Sequence, residues 1–137
     1  MKRGFTLTEI LIVMALLGFI TTLGVGIGID TYRRQIFSSQ VDALVSFLHA
    51  ARNQAMNNLH QSEHTVRIDD DAFVLLYGSV ETPVARSESV EVSGLDEVTF
   101  EQLSGETDDD GEIELTNGIR TAHIEISTNG RIEWSYE

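Results

Sequence analysis

Hydrophobic and polar positions change their period twice along this chain. From Ile10 to Ile29 the sequence reads ILIVMALLGFITTLGVGIGI, twenty residues without a charge. That length matches a membrane-spanning helix, which needs about 20 apolar residues at ~1.5 Å rise each. A secretory signal peptide has a shorter apolar stretch, of about 7 to 15 residues, followed by a small-residue cleavage site. Gly24, Gly26 and Gly28 weaken the helix locally, at about 1 kcal/mol each relative to alanine. Further on, Phe37, Val41, Leu44, Leu48, Ala51, Ala55 and Leu59 recur at steps of four and three, the signature of one apolar stripe. No proline interrupts residues 5–62. One helix of roughly 55 residues and about 80 Å is therefore expected, its second half packing the stripe on a domain and its first half projecting bare.

After about Glu63 the period drops to two. Alternating runs appear at HTVRID, AFVLLYG, SESVEVS, EVTFEQL, GEIEL, TAHIEIS and RIEWSY. The pairs Asn117-Gly118 and Asn129-Gly130 lie between such runs, and Asn-Gly is the strongest short hairpin signal. The pattern predicts an α+β chain: a long amino-terminal helix packed on a carboxy-terminal antiparallel domain of about seven short strands. Its parts are residues 5–29 as a transmembrane helix, 30–62 as the amphipathic continuation and 63–137 as the β-rich domain, after a short basic start at residues 1–4.

Charge narrows the partners. The 137 residues hold 22 acids against nine Lys and Arg, a net of -13, and only Lys2 is a lysine. From Arg67 onward four arginines face 18 acids, or -14. Such a surface repels nucleic acid and anionic lipid, which bind through clustered Lys and Arg. Hydrophobic content of 42% still permits a small core. The absence of cysteine excludes disulfides, thiolate metal sites and cysteine nucleophiles. Lys2 and Arg3 precede the apolar run while Arg33 and Arg34 follow it, so the positive-inside rule is nearly balanced and does not set orientation.

Candidate chemistry is sparse. Glu106, Asp108, Asp110 and Gly111 occupy the first, third, fifth and sixth places of a calcium-loop pattern. The twelfth place is Asn117, which lacks the bidentate carboxylate, so the segment reads first as a solvated acidic loop. His60 and His64, four apart, would present two imidazoles to a metal if the helix reached them, but no third ligand accompanies them. His49 and His123 show no partner in sequence. No nucleophile elbow, phosphate loop or HExxH is present, so the chain does not read as an enzyme and calls for no cofactor.

Glu9 is the anomaly, a carboxylate at the edge of the apolar run with no basic partner inside it. At mid-bilayer such a group costs roughly 2.5 to 3.5 kcal/mol. Arg3-Gly4-Phe5-Thr6-Leu7-Thr8-Glu9 running into an apolar helix closely resembles the amino terminus of type IV pilins and type II secretion pseudopilins. The resemblance implies a basic leader cut after Gly4 by a membrane-embedded prepilin peptidase and N-methylation of the new terminus, Phe5. It makes Glu9 an assembly residue, pairing with a neighbour's terminal amine as the subunit leaves the bilayer. Thr8 departs from the aliphatic residue common at its place.

Residues 44–58, LVSFLHAARNQAMNN, and the ending Gly130-Arg131-Ile132-Glu133-Trp134 resemble the minor pseudopilin H and FimT-type minor pilins. These share an "L…AR..A" helix and a "GRI.W"-like close. The implied partners are other pilins or pseudopilins, the peptidase and the inner-membrane assembly platform. The implied location is the bacterial inner membrane, single-pass with a periplasmic or extracellular domain, and then the pilus or pseudopilus. Two further readings stand beside it. A DNA-uptake pilin of the FimT kind needs a basic surface that this acidic chain lacks. A plain single-pass protein with a β-rich binding domain would keep Met1.

Overall fold

The computed structural model describes residues 6–137, apart from the side chains of residues 23–28. The chain divides into two compact units, Met1–Gln35 and Ile36–Glu137. Helix α1 (Leu7–Met56) crosses that boundary. In the first unit its apolar side chains are exposed, Ile10, Leu11, Val13, Leu17 and Phe19 among them. Thr21 and Thr22 settle their hydroxyls on the carbonyls of Leu17, Gly18 and Phe19 at 2.8–3.0 Å, so the helix exposes no unmet hydroxyl there. Among the described residues no helix is long and apolar enough to cross a membrane. The transmembrane helix expected over residues 5–29 lies partly outside the described residues, which omit residue 5 and the side chains of residues 23–28.

In the second unit the stripe is a buried face. Phe37, Val41, Leu44, Leu48, Ala51 and Ala55 are all fully buried, whereas Leu59 is 47% exposed. The helix ends at Met56 and not at residue 62. A separate 3₁₀ turn (Leu59–Gln61) follows Asn58, which sits in a left-handed conformation. The end is held from inside and outside: Ala55 O accepts from Asn58 N–H at 3.0 Å and from Leu103 N–H at 2.9 Å, so a carbonyl of the last turn is satisfied.

Eight strands follow, all paired antiparallel: β1 (His64–Ile68), β2 (Ala72–Tyr77), β3 (Val80–Ala85), β4 (Glu91–Gly94), β5 (Glu97–Phe100), β6 (Gly111–Thr116), β7 (Thr121–Ile126) and β8 (Ile132–Tyr136). They form two four-stranded sheets, ordered β3-β2-β1-β5 and β4-β6-β7-β8. Val66, Phe73, Val98 and Phe100 of the first sheet join Ile113, Leu115, Ile124 and Ile126 of the second in one core with the α1 stripe. The strand missing from the sequence reading is β3, whose residues are all exposed and include Pro83. Proline suits an edge strand that need not donate, and β3 is an edge. Gly78-Ser79 between β2 and β3 was its available hairpin signal.

Both Asn-Gly pairs do turn hairpins. Asn117 Oδ1 accepts from Ile119 and Arg120 N–H at 3.1 and 3.0 Å, and Asn129 Oδ1 from Arg131 N–H at 3.0 Å, the local bonding that suits Asn to turns. The glycines differ in what surrounds them. Gly118 (φ +77°) has open space where a Cβ would stand, while a Cβ on Gly130 (φ +73°) would lie 1.9 Å from Gly105 O and 2.8 Å from Arg52 Nε. Alanine at either site strains the backbone similarly; only at Gly130 does it also collide. Gly130→Ala should therefore destabilise by about 2 kcal/mol or more and clearly exceed Gly118→Ala, as read from equilibrium urea unfolding. Equal losses at the two sites would mean that the contact with Gly105 is loose.

Candidate functional site

The amino-terminal site can be built from its second half only, because Gly4 and Phe5 lie outside the described residues. Thr6 precedes the first helical residue and Glu9 stands in the first turn. Glu9 Oε2 accepts from Thr6 N–H and from Thr6 Oγ1–H, each at 3.4 Å. Thr6 Oγ1 also lies 3.4 Å from the Glu9 N–H, which donates to it, and 3.1 Å from Thr8 Oγ1. This is a capping box, in which the Thr hydroxyl and the Glu carboxylate each satisfy an orphan donor of the first turn. A negative charge there also suits the positive end of the helix dipole. Glu9 thus has a local partner that the search for a basic residue missed, although Thr-x-x-Glu was legible in the sequence. Thr6 is the residue that search overlooked.

The two segments behind the narrower resemblance meet in space. Arg52 Nη2 donates to Asn129 O at 3.1 Å. Gly130 packs on Gly105 O and Arg52, and a Cβ on Gly105 would lie 2.5 Å from Met56. His49, one turn earlier on α1, meets Trp134 edge-on at 6.0 Å, and Phe37 meets Tyr136 at 6.4 Å. The arginine, the turn glycine and the tryptophan join α1 to the β7–β8 hairpin. Their work is packing and positioning.

The remaining candidates separate. Among the described residues no three His, Asp or Glu side chains form a group able to hold a metal, and Glu106, Asp108 and Asp110 are not brought together as one ligand set. Asp109, between them, accepts from Thr99 N–H at 2.8 Å, and Asn117 belongs to the β6–β7 turn. His60 and His64 do not share a helix face: His60 is in the 3₁₀ turn and His64 begins β1.

His123 has found partners across the strands. Its Nδ1 pairs with Glu112 on β6, and its Nε2 lies 3.7 Å from Glu137. Ser135 stands opposite on β8, but the imidazole is bracketed by carboxylates and is not set against a hydroxyl. On the same sheet Glu112, Glu125 and Glu133 stand directly opposite one another across β6, β7 and β8, with Arg131 paired to Glu133. Like charges so placed destabilise a sheet, and His123 and Arg131 relieve the two ends of the row.

Residues 1–25 match the family described as the prokaryotic N-terminal methylation motif. This supports a type IV pilin-like family, a prepilin-like protein processed at its amino terminus, and membrane-associated assembly with other pilins. The family is one of structural subunits. No curated protein and no solved structure matches the chain.

The His123 pairing has a measurable consequence. Its hydrogen bond to Glu112, with the further charges of Glu112, Glu114 and Glu137, raises its pKa above the usual 6.5. A raised folded value means that the pairing contributes its full stability below about pH 6.5 and loses it as pH climbs through the folded value. NMR titration of the ring should give a midpoint above 6.5 that drops in Glu112→Gln. An unmoved midpoint in that variant would show that Glu112 is not the partner that matters.

Proposed function

We propose that this chain is a minor pilin-like subunit of a type II secretion pseudopilus or a type IV pilus. Prepilin peptidase cuts after Gly4, Phe5 becomes the methylated terminus, and Glu9 guides assembly. The carrying observation is the methylation motif over residues 1–25, which runs into a helix apolar and exposed on every side at Ile10, Leu11, Ile12, Val13 and Met14. A helix apolar all round requires apolar surroundings on every face, such as the matching helices of neighbouring subunits. In those surroundings a carboxylate is tolerated when paired and very costly when alone. The Thr6 cap gives Glu9 hydrogen bonds but no opposite charge, and a neighbour's terminal amine would supply one.

A minor place in the filament is supported by charge. Residues 36–137 carry five arginines and 20 acids, or -15. Two such domains side by side repel, screened over a Debye length of about 8 Å at physiological salt. A subunit spaced among different neighbours avoids that cost. The same charge argues against the DNA-uptake reading, which requires phosphate-binding lysines and arginines. The meeting of Arg52 with the Gly130 turn favours the likeness to minor pseudopilin H and FimT-type pilins. Working partners would be other pilins or pseudopilins, the peptidase and the assembly platform of the inner membrane.

Mass spectrometry of the mature protein tests the processing step directly. N-methylated Phe5 is expected, and an intact Met1 would point to a plain anchored protein instead. Gly4→Val should leave uncleaved precursor, since a bulky side chain obstructs a site built for glycine. A Phe5 terminus in that variant would contradict the assignment.

Glu9 can be tested for charge apart from capping. Glutamine keeps a capping box and removes the charge, while leucine removes both. With charge as the assembly device, Glu9→Gln and Glu9→Leu should both lose co-purification with other pilin-like subunits, at normal membrane level and normal cleavage. Retention by Glu9→Gln with loss in Glu9→Leu would assign the residue to helix capping alone.

A further inference from the structure

Three of the four residues between positions 58 and 61 have left-handed backbones: Asn58 (φ 53°), His60 (φ 63°) and Gln61 (φ 53°). Each such position is disfavoured for a residue with a Cβ, least so for asparagine. The other left-handed non-glycine among the described residues, Leu103 (φ 70°), meets the same corner. Its N–H donates to Ala55 O at 2.9 Å, and Gln102 Nε2 donates to Asn58 Oδ1. The strain of the whole domain is gathered where α1 ends.

A stack of rings closes that corner. His60 lies on Tyr77 with centroids 4.2 Å apart and planes 18° from parallel. The His64 ring is 5.7 Å from Tyr77 and 6.0 Å from His60. His60 is exposed, whereas His64 is fully buried, and among the described residues its ring has no polar contact beyond the Ser62 backbone. A buried polar group so poorly partnered is already unfavourable, and a positive charge on that ring would be more so.

We propose that the His60–His64–Tyr77 stack is a proton-operated latch on the turn that ends α1. Uptake of a solvent proton on a His64 ring nitrogen drives the ring out toward water, unstacks His60 and releases the strained turn. The groups that face His64 offer the charge no compensation. Tyr77 stands opposite it on β2 and Phe100 opposite it on β5. His60 faces it from the turn and disfavours a second positive charge there, and Glu63 is exposed. Burial above all, with His60, holds the His64 pKa below the usual 6.5, and the Ser62 backbone offsets part of this. The released state therefore takes up the proton first. The closed latch weakens as pH falls below 6.5 toward the lower folded value, the direction opposite to His123.

Hydrogen exchange of the full chain in detergent micelles tests this, at about pH 7.5 and about pH 5.5 to bracket the histidine range, after correction for intrinsic rates. Residues 57–64 should lose protection several-fold at the lower pH while β6 and β7 keep theirs. His64→Phe, which fills the site without titrating, should abolish the pH dependence. His60→Ala, which removes only the exposed ring, should leave residues 57–64 fast at both pH values. Unchanged wild-type protection overturns the latch whatever the variants do. So do a loss spread evenly over both sheets, a wild-type-like loss in His64→Phe, and full protection in His60→Ala.

Discussion

The six fully buried residues of α1 between Phe37 and Ala55 are the surface on which both sheets are built. Neither sheet has a second layer of its own, and each contributes its inward residues to the same core as that stripe. An antiparallel sheet with one apolar face needs something to bury it against, and here one helix face does this for both. Everything peripheral is arranged to keep that face in register. Arg52 ties it to the β7–β8 turn, His49 and Phe37 meet the aromatic side chains of β8, and Leu103 caps its last turn.

The same helix has two different obligations along its length. Beyond Gln35 it is half of a core; before Gln35 it exposes apolar side chains. Exposed apolar surface on this scale marks an interaction site in a native protein, and the residues at its start match the prokaryotic N-terminal methylation motif. Glu9 sits where the two demands on a carboxylate meet. It satisfies orphan donors of the first turn, and it brings a negative charge to a helix whose apolar side chains are exposed. Capping explains the conformation of the residue. It does not remove the cost of placing a charge beside apolar surface.

Charge divides the molecule as sharply as hydropathy does. The -15 of residues 36–137 lies on a domain whose second sheet places carboxylates opposite carboxylates. The few basic groups relieve particular positions: Arg67 pairs with Asp69 and Glu81, Arg131 with Glu133, and His123 with Glu112. Two histidines respond to this landscape in opposite senses. His123 is held by carboxylates, whereas His64 is buried among rings.

Periodicity alone determined the long helix, the stripe, the strand-rich second part and both Asn-Gly turns, because side-chain spacing and turn chemistry are local properties. The acidic composition and the leader motif were equally local. The helix end was not, since Leu59 continues the apolar spacing while the break at Asn58 is secured by residues 102 and 103. Edge strand β3 was hidden by Pro83, because a proline's compatibility with a strand depends on which neighbours that strand has. The acidic loop matched part of a metal pattern by spacing, but converging ligands require a particular path of the backbone, and this loop does not take it. The junction of Arg52 with Gly130 and the ring stack over His64 join positions far apart in sequence or brought together by a strained turn. Only the packed chain could decide them, because a contact between distant residues exists only once the core has set the distance between them.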